Sequence, residues 1–315
     1  MKEYYAFLTW RGTVAKALAL SMTLSALLCT SAWAQSNADC SQDREYSFHT
    51  VTFPGDTFTQ LLGINAANQI AGYHGNNTPG HPNKGFTLRL PKDFTLENFP
   101  NSAQTQVFGI NQQGSTDGFY IDAAGRKHGF VDIDGVFSTV DFPGTPFNQL
   151  LGLNNHGQAA GYYADAYGIN FQPYIYDRNG GVFLLINIPA AAGGAQATGI
   201  NDRQDVSGLY IDSNFRVHGF LLDQGTFKTV DYPGAIATQA MGLNDREEVV
   251  GLYVDRAQMA HGFVYCNGHF QSIDDPNGVE GTTVNGINDR GWLVGFYNDA
   301  SGNTVGMVAR PLEQN

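Results

Sequence analysis

Charge is scarce in this chain. Asp, Glu, Lys and Arg make up 15% of its 315 residues, and 17 bases face 29 acids for a formal net charge of −12. No basic stripe offsets that balance, so a phosphate backbone would be repelled and nucleic acid is excluded as a partner class. Cysteine is nearly absent, at three residues, and no Cys–His pair with a plausible partner is found. Phosphate-binding Gly-rich loops, nucleophile elbows and His-Glu-x-x-His helices are missing as well, which removes the commonest sequence-legible chemistries. Beyond the first 34 residues no stretch is apolar enough to span a bilayer, which takes about 20 residues. In place of these there are 38 Gly, with 21 Phe and 15 Tyr. That composition suits many short strands joined by tight turns.

Residues 1–34 read as a secretory signal peptide. Lys2, Arg11 and Lys16 make a basic start, Ala17 to Leu28 an uncharged apolar core, and Ala32-Trp33-Ala34 a small-x-small cleavage site. The mature chain is expected to begin near Gln35, to carry a charge of about −14 and to be exported, extracellular or periplasmic, with no membrane attachment after cleavage. Leu28 before Cys29 argues against lipid attachment there. Export is oxidising, so Cys40 and Cys266 form a candidate disulfide.

One short phrase recurs six times: Gly63-Ile64-Asn65, Gly109-Ile110-Asn111, Gly152-Leu153-Asn154, Gly199-Ile200-Asn201, Gly242-Leu243-Asn244 and Gly286-Ile287-Asn288. The intervals are 46, 43, 47, 43 and 44 residues. A period of this size marks one supersecondary unit, copied and stacked. Three further marks follow in order. The first is Gly-x-Tyr, as in Gly118/Tyr120 and Gly251/Tyr253, with Gly72-Tyr73 read as a shortened variant. Next comes His-Gly-Phe, complete at His128, His218 and His261. The last is Asp/Asn-x-Pro, as in Asp141-Phe142-Pro143 and Asp231-Tyr232-Pro233. Segments between the marks are rich in β-branched and aromatic residues, and the joins place Asn or Asp at position i with Gly at i+3, as type I turns prefer.

Each unit therefore reads as four antiparallel strands, a to d, at the spacing of a β-propeller blade. Units begin near residues 56, 101, 145, 190, 235 and 278, after a lead-in over 35–45, in one domain spanning 46–312. The chain enters on the fourth mark, at Phe48–Gly55, and leaves after the third, at Val305-Gly306-Met307. An N-terminal strand would complete the last blade and remove two sheet edges. The fold class expected is all-β: a six-bladed β-propeller closed in this way.

These marks resemble those of the HAF-repeat family, probable extracellular repeats of exported bacterial proteins, from Phe48 to Met307. The resemblance implies a propeller-like extracellular protein and brings no established reaction.

The sharpest candidate site is a ring of side chains three residues before each recurrent Gly: Gln60, Gln106, Gln149, Gln196, Gln239 and Thr283. Strand a is innermost in a propeller, so these would recur at one level near the channel mouth. Carboxamides there can orient a polar ligand or satisfy strand edges, but they cannot serve readily as acid or base. His128, His218 and His261 fall on the third strand out and do not converge, so no metal site is expected, nor any cofactor. Asp122, Asp165, Asp212, Asp255 and Asp299 lack the alternating ligands of a Ca²⁺ loop and read as turn caps. The departures from the repeat lie at His74–Lys84, Tyr162–Tyr174 and Asp275–Gly281. The expected function is a binding or interaction module for extracellular polysaccharide or a cell-envelope protein. The alternatives are a propeller enzyme acting on glycans and a purely structural surface protein. Oligomeric state is not legible.

Overall fold

Turn chemistry spaces the strands. In each complete Asn turn the side-chain oxygen caps the backbone two and four residues on. Asn154 Oδ1 accepts from His156 N at 3.0 Å and from Gln158 N at 2.9 Å. The fourth residue of this turn is left-handed: Gly157 takes φ 77°, and Asn68, Gln204 and Glu247 take the same conformation without glycine at 59°, 66° and 63°. The computed structural model describes residues 42–76, 82–165 and 170–312. Among them are 24 strands and no helix, so no helix there is long and apolar enough to cross a membrane.

The strands fall into six groups of four. After β1 (Tyr46–Val51), unit one holds β2 (Phe58–Ile64), β3 (Gln69–Gly75), β4 (Lys84–Arg89) and β5 (Asp93–Leu96). Unit two holds β6 (Gln104–Ile110), β7 (Thr116–Ile121), β8 (Lys127–Ile133) and β9 (Val136–Val140). Unit three holds β10 (Phe147–Leu153), β11 (Gln158–Ala164), β12 (Gln172–Asp177) and β13 (Val182–Leu185). Unit four holds β14 (Ala195–Ile200), β15 (Val206–Ile211), β16 (Val217–Asp223) and β17 (Thr226–Val230). Unit five holds β18 (Ala237–Leu243), β19 (Val249–Val254), β20 (Ala260–Cys266) and β21 (His269–Ile273). Unit six holds β22 (Thr282–Ile287), β23 (Leu293–Asn298) and β24 (Thr304–Pro311). Its fourth strand is β1, which pairs antiparallel with β24 from Tyr46↔Pro311 to Val51↔Gly306.

The recurrent phrase has a physical reading at each residue. Its Gly stands where neighbouring innermost strands approach most closely. A Cβ on Gly63 would lie 2.5 Å from Phe108 O, and one on Gly286 would lie 2.5 Å from Leu62 O. No side chain fits there without moving backbone. The Ile or Leu turns inward, and Ile64, Ile110, Leu153, Ile200, Leu243 and Ile287 line two stacked axial cavities of about 80 Å³ each. The Asn joins units. Its Nδ2 donates to the backbone oxygen of the next unit's Asn, in the order 65→111→154→201→244→288. Asn288 returns the belt to Asn65 O at 3.1 Å.

Between units, the blades pack on buried aromatics. Phe86, Phe130, Tyr174, Phe220 and Phe263 are fully buried on the third strands. Each loss to Ala would cost about 3–5 kcal/mol. The ring before each Pro stacks on the second strand of the following unit: Phe99 on Tyr120 at 3.7 Å, Phe142 on Tyr163 at 4.1 Å and Tyr232 on Tyr253 at 3.6 Å. In unit one the stacked residue is His74, 3.5 Å from Phe53. The expectation that Gly72-Tyr73 is a shortened Gly-x-Tyr is therefore corrected: the unit keeps full spacing, and His74 replaces the Tyr. Tyr73 belongs instead to the face that carries Gln60, its register partner.

Candidate functional site

The six predicted ring residues occupy one register level. Gln60 faces Tyr73, Gln106 faces Phe119, Gln149 faces Tyr162, Gln196 faces Leu209, Gln239 faces Leu252 and Thr283 faces Phe296 across the first two strands of each unit. None of them lines the two axial cavities. They stand beyond the apolar layer, toward the starts of the innermost strands. Gln149 is buried and accepts from Tyr162 Oη at 2.5 Å. Gln60 accepts from Tyr73 Oη at 2.6 Å. Burial holds both tyrosines far above the usual phenol range, so the hydroxyls are neutral donors at any physiological pH.

Strand alternation surrounds these amides unevenly. Positions two before and two after each ring residue share its side of the strand. In units one to three these positions and the facing strand hold Phe58, Leu62, Tyr73, Gln104, Phe108, Phe119, Phe147, Leu151 and Tyr162. Phe58 and Tyr73 lie 5.5 Å apart, Tyr73 and Phe108 6.5 Å, Phe108 and Phe119 5.7 Å, and Phe147 and Tyr162 5.7 Å. Lys127 Nζ sits 4.6 Å from the Phe147 ring centre, a cation–π contact. In units four to six the same positions hold Gly194, Thr198, Leu209, Ala237, Met241, Leu252, Gly281, Asn285 and Phe296. The mouth thus has six aromatic rings on one half and one, Phe296, on the other. Phe58, Phe108 and Phe147 are readable from their two-residue offset to a ring Gln, but they do not recur in every unit and so carry no repeat signal.

At the opposite, Asn end, the residue after each Asn caps the preceding unit. Asn155 Oδ1 accepts from Gln112 N at 2.8 Å, Asp202 Oδ1 from Asn155 N at 2.8 Å, Asp245 Oδ1 from Asp202 N at 2.8 Å and Asp289 Oδ1 from Asp245 N at 3.0 Å. Burial raises the Asp245 pKa, and the charges of Asp289 and Asp202 add to the rise.

The three His-Gly-Phe histidines do not converge. Each is held between two carboxylates of its own unit. His128 Nδ1 lies 2.6 Å from Asp141 and its Nε2 lies 3.4 Å from Asp122. His218 lies 2.7 Å from Asp231 and 3.3 Å from Asp212, and His261 lies 2.9 Å from Asp274 and 3.6 Å from Asp255. With both ring nitrogens engaged, none is poised as a general base. The turn aspartates behave as caps: Asp122 Oδ1 accepts from Ala124 N at 2.8 Å and Arg126 N at 2.9 Å. Those bonds, led by that from Arg126, hold Asp122 well below the usual carboxylate range. Among the described residues, Asp205, Asp223 and Glu247 come close enough to share a cation. That position is taken by Arg203, 3.0 Å from Asp205 and 2.8 Å from Glu247.

Cys266 is disulfide-bonded. Cys40 lies outside the described residues, as do residues 1–34 and parts of the loops at 77–81 and 166–169. The lead-in just after Cys40 runs beside unit five: Arg44 N donates to Gln271 Oε1 at 3.0 Å, and Gln271 Nε2 donates back to Arg44 O at 2.6 Å.

No family model and no curated protein matches this chain. Solved structures do resemble it. SapL1 lectin in complex with α-methyl fucoside aligns with a TM-score of 0.54 at 10% identity, over 80% of this chain and 92% of that one. Virginiamycin B lyase from Staphylococcus aureus, a catalytically inactive form with quinupristin, aligns at 0.51 and 10%, over 85% and 100%. Aleuria aurantia lectin with Fucα1-6GlcNAc aligns at 0.50 and 10%, over 79% and 91%. The Aleuria lectin is a six-bladed β-propeller. At such identities the likeness bears on fold alone. The chain is all-β over its described residues, and the Aleuria lectin among its structural neighbours is a six-bladed β-propeller.

Proposed function

We propose that this chain is an exported, closed six-bladed β-propeller of the HAF-repeat kind that binds glycans at its glutamine mouth. Closure is supported by the pairing of β1 with β24 and by the Asn belt that returns from Asn288 to Asn65. Pairing of Cys266 with Cys40 is supported by the course of Asp43 and Arg44 along β21. It would staple the N-terminal strand, contributing about 4–5 kcal/mol in the chain-entropy model.

The observation that carries the binding reading is the mouth itself. Carboxamides at one level stand beside aromatic rings contributed by units one to three. Sugar hydroxyls suit the first, and the C–H faces of sugar rings suit the second. Propeller neighbours crystallised with fucosides support the same ligand class. A glycan array with the wild type and a Gln149→Ala/Gln196→Ala variant tests it. Binding to a defined glycan set, lost in the variant, is expected. No glycan binding, or equal binding by both proteins, would overturn the proposal.

A further inference from the structure

The six copies disagree most sharply at one seam. Four residues after the recurrent Asn stand Gln69, Ser115, Gln158, Asp205, Glu248 and Trp292. At the end of each third strand, or one residue before it in unit six, stand Arg89, Ile133, Asp177, Asp223, Cys266 and Arg310. Units six and one are neighbours across the Asn belt. They alone place an arginine at this position, and both carry a non-acidic residue in the turn.

The seam opens into a cleft of about 470 Å³ lined by Ala67, Asn68, Gln69, Arg89, Leu90, Trp292 and Arg310. No carboxylate lines it. At the next seams the arginines are neutralised: Arg203 by Asp205 and Glu247, and Arg246 and Arg44 by Glu248. Here the acid positions carry Trp292 and Gln69. Arg310 stacks over the Trp292 ring, with Cζ 4.4 Å from its centre, and its buried Nε has no hydrogen-bond partner. Arg89 donates through Nε and Nη2 to the neutral Gln69 amide oxygen, both at 3.2 Å, and so has no carboxylate partner there. Two guanidinium groups, each a rigid fork matched to a carboxylate, thus border one cleft on a strongly acidic protein.

We propose that this cleft binds a carboxylate-bearing sugar, a uronate unit of an acidic polysaccharide. Arg89 and Arg310 take the carboxylate. The Leu90 and Ala67 wall faces the ring carbons, and Asn68 offers its amide to a hydroxyl. The volume falls within the range of ligand pockets and suits one or two sugar units. The site lies at the Asn end and is separate from the glutamine mouth, so either can fail alone.

Calorimetric titration with digalacturonate and with its neutral dimethyl ester tests the proposal. The acid is expected to bind at least tenfold more tightly than the ester. Arg89→Ala/Arg310→Ala should lose at least tenfold in affinity for the acid, and Gln149→Ala/Gln196→Ala should lose none. Trp292→Gln restores the residue type of units one and three and guards against misfolding. With an unchanged melting temperature it should still weaken the acid several-fold by releasing Arg310. Equal binding of acid and ester, no binding of the acid, or undiminished binding by the arginine variant would overturn the inference.

Discussion

The two ends of the innermost strands obey different rules. At the Asn end all six units carry the same residue, and each side chain is spent on its own turn and on the next unit. At the glutamine end five units agree on one carboxamide, but its surroundings split into an aromatic half and a small-residue half. Agreement marks scaffold, because a ring must be joined alike at every seam. Divergence around a shared frame is where the proposed glycan, which has no sixfold symmetry, would be met.

The largest test of that contrast is Asn154→Ala. It deletes a two-bond turn cap and a 3.1 Å bond to Asn201 O, two of the three bonds buried. A loss of about 2–4 kcal/mol in urea denaturation is expected, and a loss below about 1 kcal/mol would deny the belt its scaffold role. At the other end, Tyr162→Phe removes one bond to Gln149 and should cost about 1 kcal/mol of stability. Its loss of glycan affinity should be proportionally larger. Comparing the two ratios separates scaffold from site.

A third test uses acidity. Asp117 occupies a position held by Ala71, Ala160, Ser207, Val250 and Val294 elsewhere. Complete burial pushes its pKa up to about 7 against the N–H bond from Gly109 at 2.7 Å. Burial likewise pushes Glu97 up to about 7, against the bond from the Thr116 hydroxyl. Both folded values exceed the unfolded ones near 4. Their contribution is therefore full below pH 4 and is lost as pH rises toward 7. Melting temperature should fall between about pH 4 and 7 and level off above that, and Asp117→Asn should flatten the fall. The turn caps Asp122, Asp212, Asp255 and Asp299 are held low. They stabilise above pH 4, with the benefit lost as pH falls through their folded values. The smallest effect is Phe215→Gly. Phe215 is 86% exposed at φ 60°, a conformation that Gly adopts freely, so a gain of about 0.5–1 kcal/mol is expected in the same denaturation assay.

Much of the fold was legible because its rules are local. Asn-x-x-Gly fixes a turn, alternation fixes a strand, and the entry of the chain on its fourth mark foretold the pairing of β1 with β24. His74 was not legible, since only its stack on Phe53 distinguishes it from the adjacent Tyr73. The carboxylate partners of the three histidines were not legible, because each lies 13 residues on, just past the end of the fourth strand. Trp292 and the two strand-end arginines were unremarked, because they are 18 and 221 residues apart in the chain.

The sequence by itself determined the unit, its count and the residues that every copy must share, because turns and strand faces depend on neighbours a few positions away. Only the tertiary structure decided which unlike residues meet. It set Gln149 against Tyr162, and it brought Arg89, Trp292 and Arg310 to one cleft, because joining the last unit to the first makes neighbours of the two ends of the chain.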